Sequence, residues 1–389
     1  MNKKKWYWSV IMFCCLTNVT AQQTNELKNV PAQVSIVYPA GTHGRQSPHN
    51  TYNFSLNLLT GKIGGLNGLE ISGIYGQVEN NAFGIQIAGF SNIVGGKMIG
   101  FQVSSLANII GYGIIGMQVS GITNIIGDKM TGIQISGLAN ILGDTITGVQ
   151  ISGLANLVGG EIKGLQVSGL VNGVGEKIKG LQVSSIANVI YGEMKGVQIS
   201  LYNRVNTLSG LQIGLINVND TIEKGISLSL INIVKKGAYR EWELLFYDHI
   251  NVAISYKMGT QKFYTLYTAG VNFIKDNLWV FGIGFGNLTP IGNRFYFQPE
   301  IVYNNYFPTN FKNIQNTFTT HLKLGFVYRI NGKIGLSLAP NVYVMNAEKR
   351  NKPDSEFYKI TPIRAIYTNN KNNKQTAISV GVSLGLSIK

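Results

Sequence analysis

Four histidines, His43, His49, His249 and His321, are the first side chains to weigh for chemistry. Two of them share the short loop AGTHGRQSPHN with Arg45 and Ser47. A His-Ser pair is the beginning of a nucleophilic site, but the imidazole must be oriented by a third group, and no carboxylate lies nearby. The loop therefore reads as turn chemistry, rich in Gly, Ser, Pro and Asn. No two histidines have the HExxH spacing of a zinc site. The pattern GxGxxG occurs at Gly111, Gly113 and Gly116, but it opens no helix that could receive a pyrophosphate. GxSxG occurs around Ser383, inside a strand pattern and not at a strand-to-helix elbow. Asp128, Asp144, Glu161, Glu176 and Glu193 recur at turns in the manner of calcium ligands, yet they are interleaved with Lys97, Lys129 and Lys177, as on a solvated turn. The chain is accordingly expected to be no enzyme and to hold no cofactor and no metal.

The elements that carry these residues are set by a repeat. From Gly84 to Lys195 seven copies of one sixteen-residue unit follow without insertion, GVQISGLANLVGGEIK from Gly148 to Lys163 being representative. A fixed period of this kind denotes a repeat architecture. With Gly148 as position 1, apolar residues fall at positions 2, 4, 7, 10 and 15, and glycine at 1, 12 and usually 6. The opening step alternates apolar and polar, the mark of a strand with one buried face. Three glycines per unit argue against a helix.

The expected fold class is all-β: a glycine-cornered β-solenoid, in which each coil contacts its neighbours, followed by antiparallel strands like those of an outer-membrane barrel. Stacking predicts two amide columns. Position 3 supplies Gln86, Gln102, Gln118, Gln134, Gln150, Gln166 and Gln182, and position 9 supplies Asn92, Asn108, Asn124, Asn140, Asn156, Asn172 and Asn188. Amides in register can hydrogen-bond along the stack. In this reading Leu138 and Leu154 at position 7 point into the core, and Gln150 faces outward. The alternative is one large β-barrel with the repeats as strands. Against it, the repeats offer almost no interfacial aromatics beyond Phe90, Phe101, Tyr112 and Tyr191.

Residues 1–21 combine Lys3, Lys4 and Lys5 with an apolar run from Trp6 to Leu16 and the small-residue pattern Val19-Thr20-Ala21, and read as a signal peptide cleaved after Ala21. Cys14 and Cys15, the two cysteines of the chain, both fall inside it, and bulky Met12 and Phe13 disfavour lipid attachment there. The mature chain would then contain neither disulfides nor thiolate metal sites. The net charge of +15 falls to +12 without the three signal lysines. Much of the rest lies beyond residue 235, at positions such as Lys349, Arg350 and Lys352, scattered as in solvated loops. Contact with anionic lipid or surface polysaccharide is the functional reading of that charge. Nucleic acid is not expected as a partner, since no matching motif is present.

Residues 22–67 read as N-terminal strands, QVSIVYP and YNFSLNLLTG, leading to a cap. Residues 68–237 form the repeat array, with a degenerate first copy at Gly68 and shortened closing copies after Gly196. Residues 238–389 are aromatic-rich. In HLKLGFVYRI, Leu322, Leu324, Phe326 and Tyr328 alternate with His321, Lys323, Gly325, Val327 and Arg329. In the final AISVGVSLGLSIK an apolar face opposes one of Ser and Gly. Strands of this length reach across a bilayer when tilted.

The tandem G-φ-Q-φ-S/A-G-φ-x-N unit, the SLNLLTG lead-in at Ser55 to Gly61 and the switch to aromatic strands resemble a family of Gram-negative surface-repeat proteins. The resemblance implies an envelope or surface location and supplies no catalytic residue. The function expected is a non-enzymatic structural or interaction role, such as adhesion or envelope scaffolding, at the outer membrane. Outer-membrane lipid is the expected partner, with surface polysaccharide or an envelope protein as further partners. A channel or transport barrel is the alternative, and an envelope hydrolase using the His43–His49 loop a remote one.

Overall fold

The computed structural model describes residues 27–248, 250–273, 277–308, 317–348, 365–371 and 374–389. The segment read as a signal peptide, His249, and the basic positions Lys349, Arg350 and Lys352 lie outside the described residues. Two compact units are present, 27–215 with 223–225, and 216–222 with 226–389.

The first unit is a β-solenoid. Each coil contributes a seven-residue strand, such as Ile146–Ser152, and a four-residue strand, such as Ala155–Val158. Both pair in parallel with the equivalent strands of the next coil at an offset of sixteen residues, Gln150 facing Gln166 and Asn156 facing Asn172. Even the corners bond from coil to coil, the Leu154 amide donating to the Leu138 carbonyl at 2.9 Å. Backbone donors at the corners, such as those of Gly153, Leu154, Gly159 and Gly160, are thus satisfied by the preceding coil. Glycine at position 1 is dictated by this close stacking. Gly148 has φ +145°, and a Cβ there would collide with the carbonyl oxygen of Gly132. The repeats therefore form coils, and the alternative that made them strands of one large barrel is excluded.

The stack starts before the repeat becomes visible in sequence. Lys28–Val37 pairs in parallel with Asn50–Asn57, which in turn pairs with Gly65–Ser72. Gly68 to Phe83, expected to be a cap, therefore lies inside the stack, with Glu70 in register with Gln86.

Which residues occupy the interior corrects the sequence reading. Positions 3, 5, 9, 11 and 15 point inward. The apolar part of the core comes from positions 11 and 15, as Val158 and Ile162, and the rest is amide and hydroxyl. Leu138 and Leu154, expected in the core, are 44% and 43% exposed, whereas Gln150, expected outside, is fully buried. Period-2 alternation defines two faces of a strand without saying which is inside. Here the amides go in because a partner waits one coil away, at the strand spacing of about 4.8 Å.

The second unit contains a closed antiparallel barrel of eight strands, Tyr239–Tyr247, Asn251–Gly259, Tyr264–Asn272, Leu278–Gly286, Phe295–Pro308, Thr317–Arg329, Ile334–Glu348 and Lys374–Ile388. Each pairs with the next, and closure comes from the first and last, with Trp242 opposite Ile388. The turn at Asn331 is held by its side-chain oxygen, which accepts from the amides of Lys333 and Ile334. The alternation read in the sequence holds: Leu322 and Phe326 face outward, while His321, Lys323, Val327 and Arg329 are buried.

Candidate functional site

All fourteen amides predicted to stack do so, and each is fully buried. In the glutamine column every Nε2 donates toward the N-terminal side, from Gln166 to Gln150 at 3.0 Å, Gln150 to Gln134 at 2.8 Å and Gln102 to Gln86 at 2.8 Å. The column continues past the seven predicted members through Gln198 and Gln212. In the asparagine column the direction is reversed. Asn140 donates to Asn156 at 2.9 Å and Asn156 to Asn172 at 3.0 Å, and the column reaches Asn203 through Asn188. Each asparagine Nδ2 also donates to a main-chain carbonyl of the next coil, as Asn140 does to Ile151 at 2.7 Å. That second bond requires an NH2 and fixes which way the amide faces. Two antiparallel columns of amide dipoles thus run the length of the coils, side by side with an aliphatic core.

The glutamine column has a defined end. Gln86 Nε2 donates to Glu70 Oε2 at 2.7 Å, and Asn57 Nδ2 donates to Glu70 Oε1 at 3.0 Å. When ionised, Glu70 can only accept, so it then obliges Gln86 to present its NH2 and thereby sets the polarity of every glutamine after it. Burial pushes the Glu70 carboxyl up to about 7, the two amide donors opposing that rise. A raised acid pKa means that the folded coil holds a proton the unfolded chain releases. The carboxyl therefore costs nothing below about pH 4.5, destabilises increasingly as pH rises, and reaches its full cost, on the order of 3 kcal/mol, above about pH 7. Hydrogen-exchange protection of Gly65–Ser72 is expected to fall across that window, and in Glu70→Gln to stay flat. An equal slope in both proteins would refute the assignment to Glu70.

Inside the barrel a second polar assembly has formed. Lys257 Nζ lies 2.6 Å from Glu243, 2.9 Å from Glu300 and 3.7 Å from Glu241. Lys323 Nζ lies 3.0 Å from both Glu243 and Glu300, and Arg329 pairs with Glu241. Ser337 and Tyr264 donate to Glu243 and Glu300, each at 2.6 Å. Three acids and three bases share one compartment, and none is more than 5% exposed. Along the first barrel strand the charges at Glu241 and Glu243 separate Tyr239, in one apolar cluster, from Leu245 and Tyr247 in another. The lumen is filled with side chains, as expected of eight strands.

The sequence reading missed this cluster because its six charged members come from four strands, spread from Glu241 to Arg329. The available signal was the run Tyr239–Tyr247, YREWELLFY, whose two glutamates alternate with Trp242 and Leu244.

The three described histidines do not converge on one site. His43 packs against the Tyr52 ring and His49 ends a 3-10 turn, whereas His321 is buried in the barrel, 3.1 Å from Asn304. Ser383 of GxSxG accepts a hydrogen bond from Asn341 at 3.0 Å, and the Gly111–Gly116 pattern falls across a corner and a strand. Among the described residues no group of acidic or histidine side chains could hold a metal. Compared with protein-family models, with curated proteins and with solved structures, the chain matches none.

Proposed function

We propose that the chain is an outer-membrane protein of a Gram-negative envelope, non-enzymatic, anchored by its barrel and presenting its coil stack in a structural or interaction role. The observation that carries this reading is the inversion of the barrel. Trp242, Leu244, Phe246 and Ile254 face outward and are exposed, while Glu241, Glu243 and Lys257 face inward. A water-soluble barrel needs the opposite arrangement, and lipid covers such a surface. The resemblance to surface-repeat proteins and the signal-like first residues support the same location. Recovery in the outer-membrane fraction is the expected result, and recovery of an intact soluble periplasmic monomer would overturn it.

A channel is the second reading. The ionic cluster that fills the lumen favours a closed anchor, since Lys257 and Lys323 leave no water-lined path where they sit. Purified protein in planar bilayers is expected to give no stable single-channel steps. Their appearance would replace the structural role with a transport one.

A further inference from the structure

The ladders account for the inside of the coil stack and leave its outside unexplained. On the long strands, positions 16, 2 and 4 point outward. Down position 16 the residues in register are Phe83, Ile99 and Ile115, then Thr131 and Thr147, then Lys163, Lys179 and Lys195. All eight are exposed. Beside them positions 2 and 4 stay apolar in every coil, as Phe101 and Val103 or Val197 and Ile199. Position 7, at the adjoining corner, is apolar as well, from Phe90 through Leu154 to Ile186. The five acidic residues of the regular coils are kept to positions 13 and 14, at a different corner. The long-strand face therefore carries apolar residues at positions 2 and 4 from end to end, is free of acids, and is cationic only in its last three coils.

Those lysines are an electrostatic liability by themselves. Stacked at about 4.8 Å, like charges directly opposite on neighbouring strands repel. Lys195 has Glu193 at 3.0 Å, but among the described residues neither Lys163 nor Lys179 has an acidic partner. The occupant of this face must meet hydrocarbon along its whole length and supply anions at one end.

We propose that the long-strand face, with the position-7 corner, is a membrane-contact surface for a bilayer carrying anionic lipid. Acyl chains meet positions 2, 4 and 7, and headgroup phosphates meet Lys163, Lys179 and Lys195. The coil stack then lies on the membrane as an interfacial amphipathic helix does, with Asp128, Asp144 and Glu176 at the corner turned to water. A soluble polyanion would satisfy the lysines and leave the aliphatic surface bare. This proposal rests on the outer-membrane reading only in needing lipid within reach.

The test uses the full chain with Cys14 and Cys15 replaced by serine and one cysteine, at Ile115 or at Glu176, carrying an environment-sensitive fluorophore. The protein is mixed with vesicles of phosphatidylcholine, with or without phosphatidylglycerol, some bearing brominated acyl chains. Barrel insertion is followed separately by protease protection of residues beyond 238. The label at 115 is expected to enter an apolar environment and be quenched by bromine, more so with phosphatidylglycerol, while the label at 176 stays in water. Lys163→Ser with Lys179→Ser should shift the label's equilibrium roughly 30-fold toward water in the anionic vesicles. A label at 115 that remains in water, whether or not the barrel inserts, overturns the proposal. So does one that becomes buried without lipid as protein concentration rises, since the face would then be covered by a second copy. Lipid contact at 115 without barrel insertion would instead overturn the anchoring role.

Discussion

Lys257→Met is expected to cost the barrel about 3–5 kcal/mol, enough to abolish its folding in detergent micelles or to lower its urea midpoint severely. The ammonium is the shared partner of Glu243 and Glu300 and lies within 4 Å of Glu241. Removing it leaves three carboxylates facing Lys323 and Arg329, an uncompensated negative charge in a compartment that water does not reach. Methionine replaces the volume and the aliphatic stem, so the loss is electrostatic and not a cavity. The control follows from the same account. Glu300→Gln in the Lys257→Met background restores neutrality and keeps an acceptor for Tyr264, whose hydroxyl donates to Glu300 at 2.6 Å. The double variant is expected to be more stable than Lys257→Met alone, a non-additivity typical of members of one network. A single variant as stable as the parent would mean that the cluster is solvated and the lumen open, and would revive the channel reading.

The course of the chain was legible where a local rule applied over and over. Sixteen-residue spacing alone places Gln150 over Gln166 and Asn156 over Asn172, because a solenoid converts sequence period directly into spatial register. The barrel strands are legible for a similar reason, since Leu322, Leu324 and Phe326 alternate with His321, Lys323 and Val327. Polarity of the coil strands was not legible. Leu154 was placed inside on the premise that apolar groups are buried from water, and that premise fails when the interior can satisfy every amide and the exterior need not face water. The start of the stack at Lys28 was hidden because its first coils lack the amide motif. Glu70 stands where the later coils carry glutamine, and its meaning as the terminus of a hydrogen-bonded column emerges only once Gln86 is seen above it and Asn57 below. The ionic cluster of the barrel was illegible for a topological reason: Glu241, Lys257, Glu300 and Lys323 are brought together by closure of the sheet, which no local spacing encodes.

Gln150→Leu is expected to destabilise the coil stack by roughly 2–4 kcal/mol, although it exchanges a polar residue for an apolar one of similar size inside a fold. Gln150 accepts from Gln166 and donates to Gln134, so leucine strands one donor and one acceptor, both fully buried. Turning the amides over gives no escape. Glu70 fixes the column on one side of the break, and on the other side a flip of Gln166 moves the unpaired group to Gln182 without removing it. The added burial of leucine offsets part of this cost, hence the lower figure than two orphaned amides alone would give. Leu154→Asp is the counterpart. Its side chain lies at an exposed corner, and in detergent-solubilised protein it is expected to cost less than about 1 kcal/mol, since the carboxylate keeps its water. Chemical unfolding of both variants in the full chain, followed by the β-sheet circular dichroism of the coils, gives the comparison directly. If Leu154→Asp proves the more damaging of the two, the amides are not the interior of the stack, and the arrangement of inward amides and outward leucines is wrong.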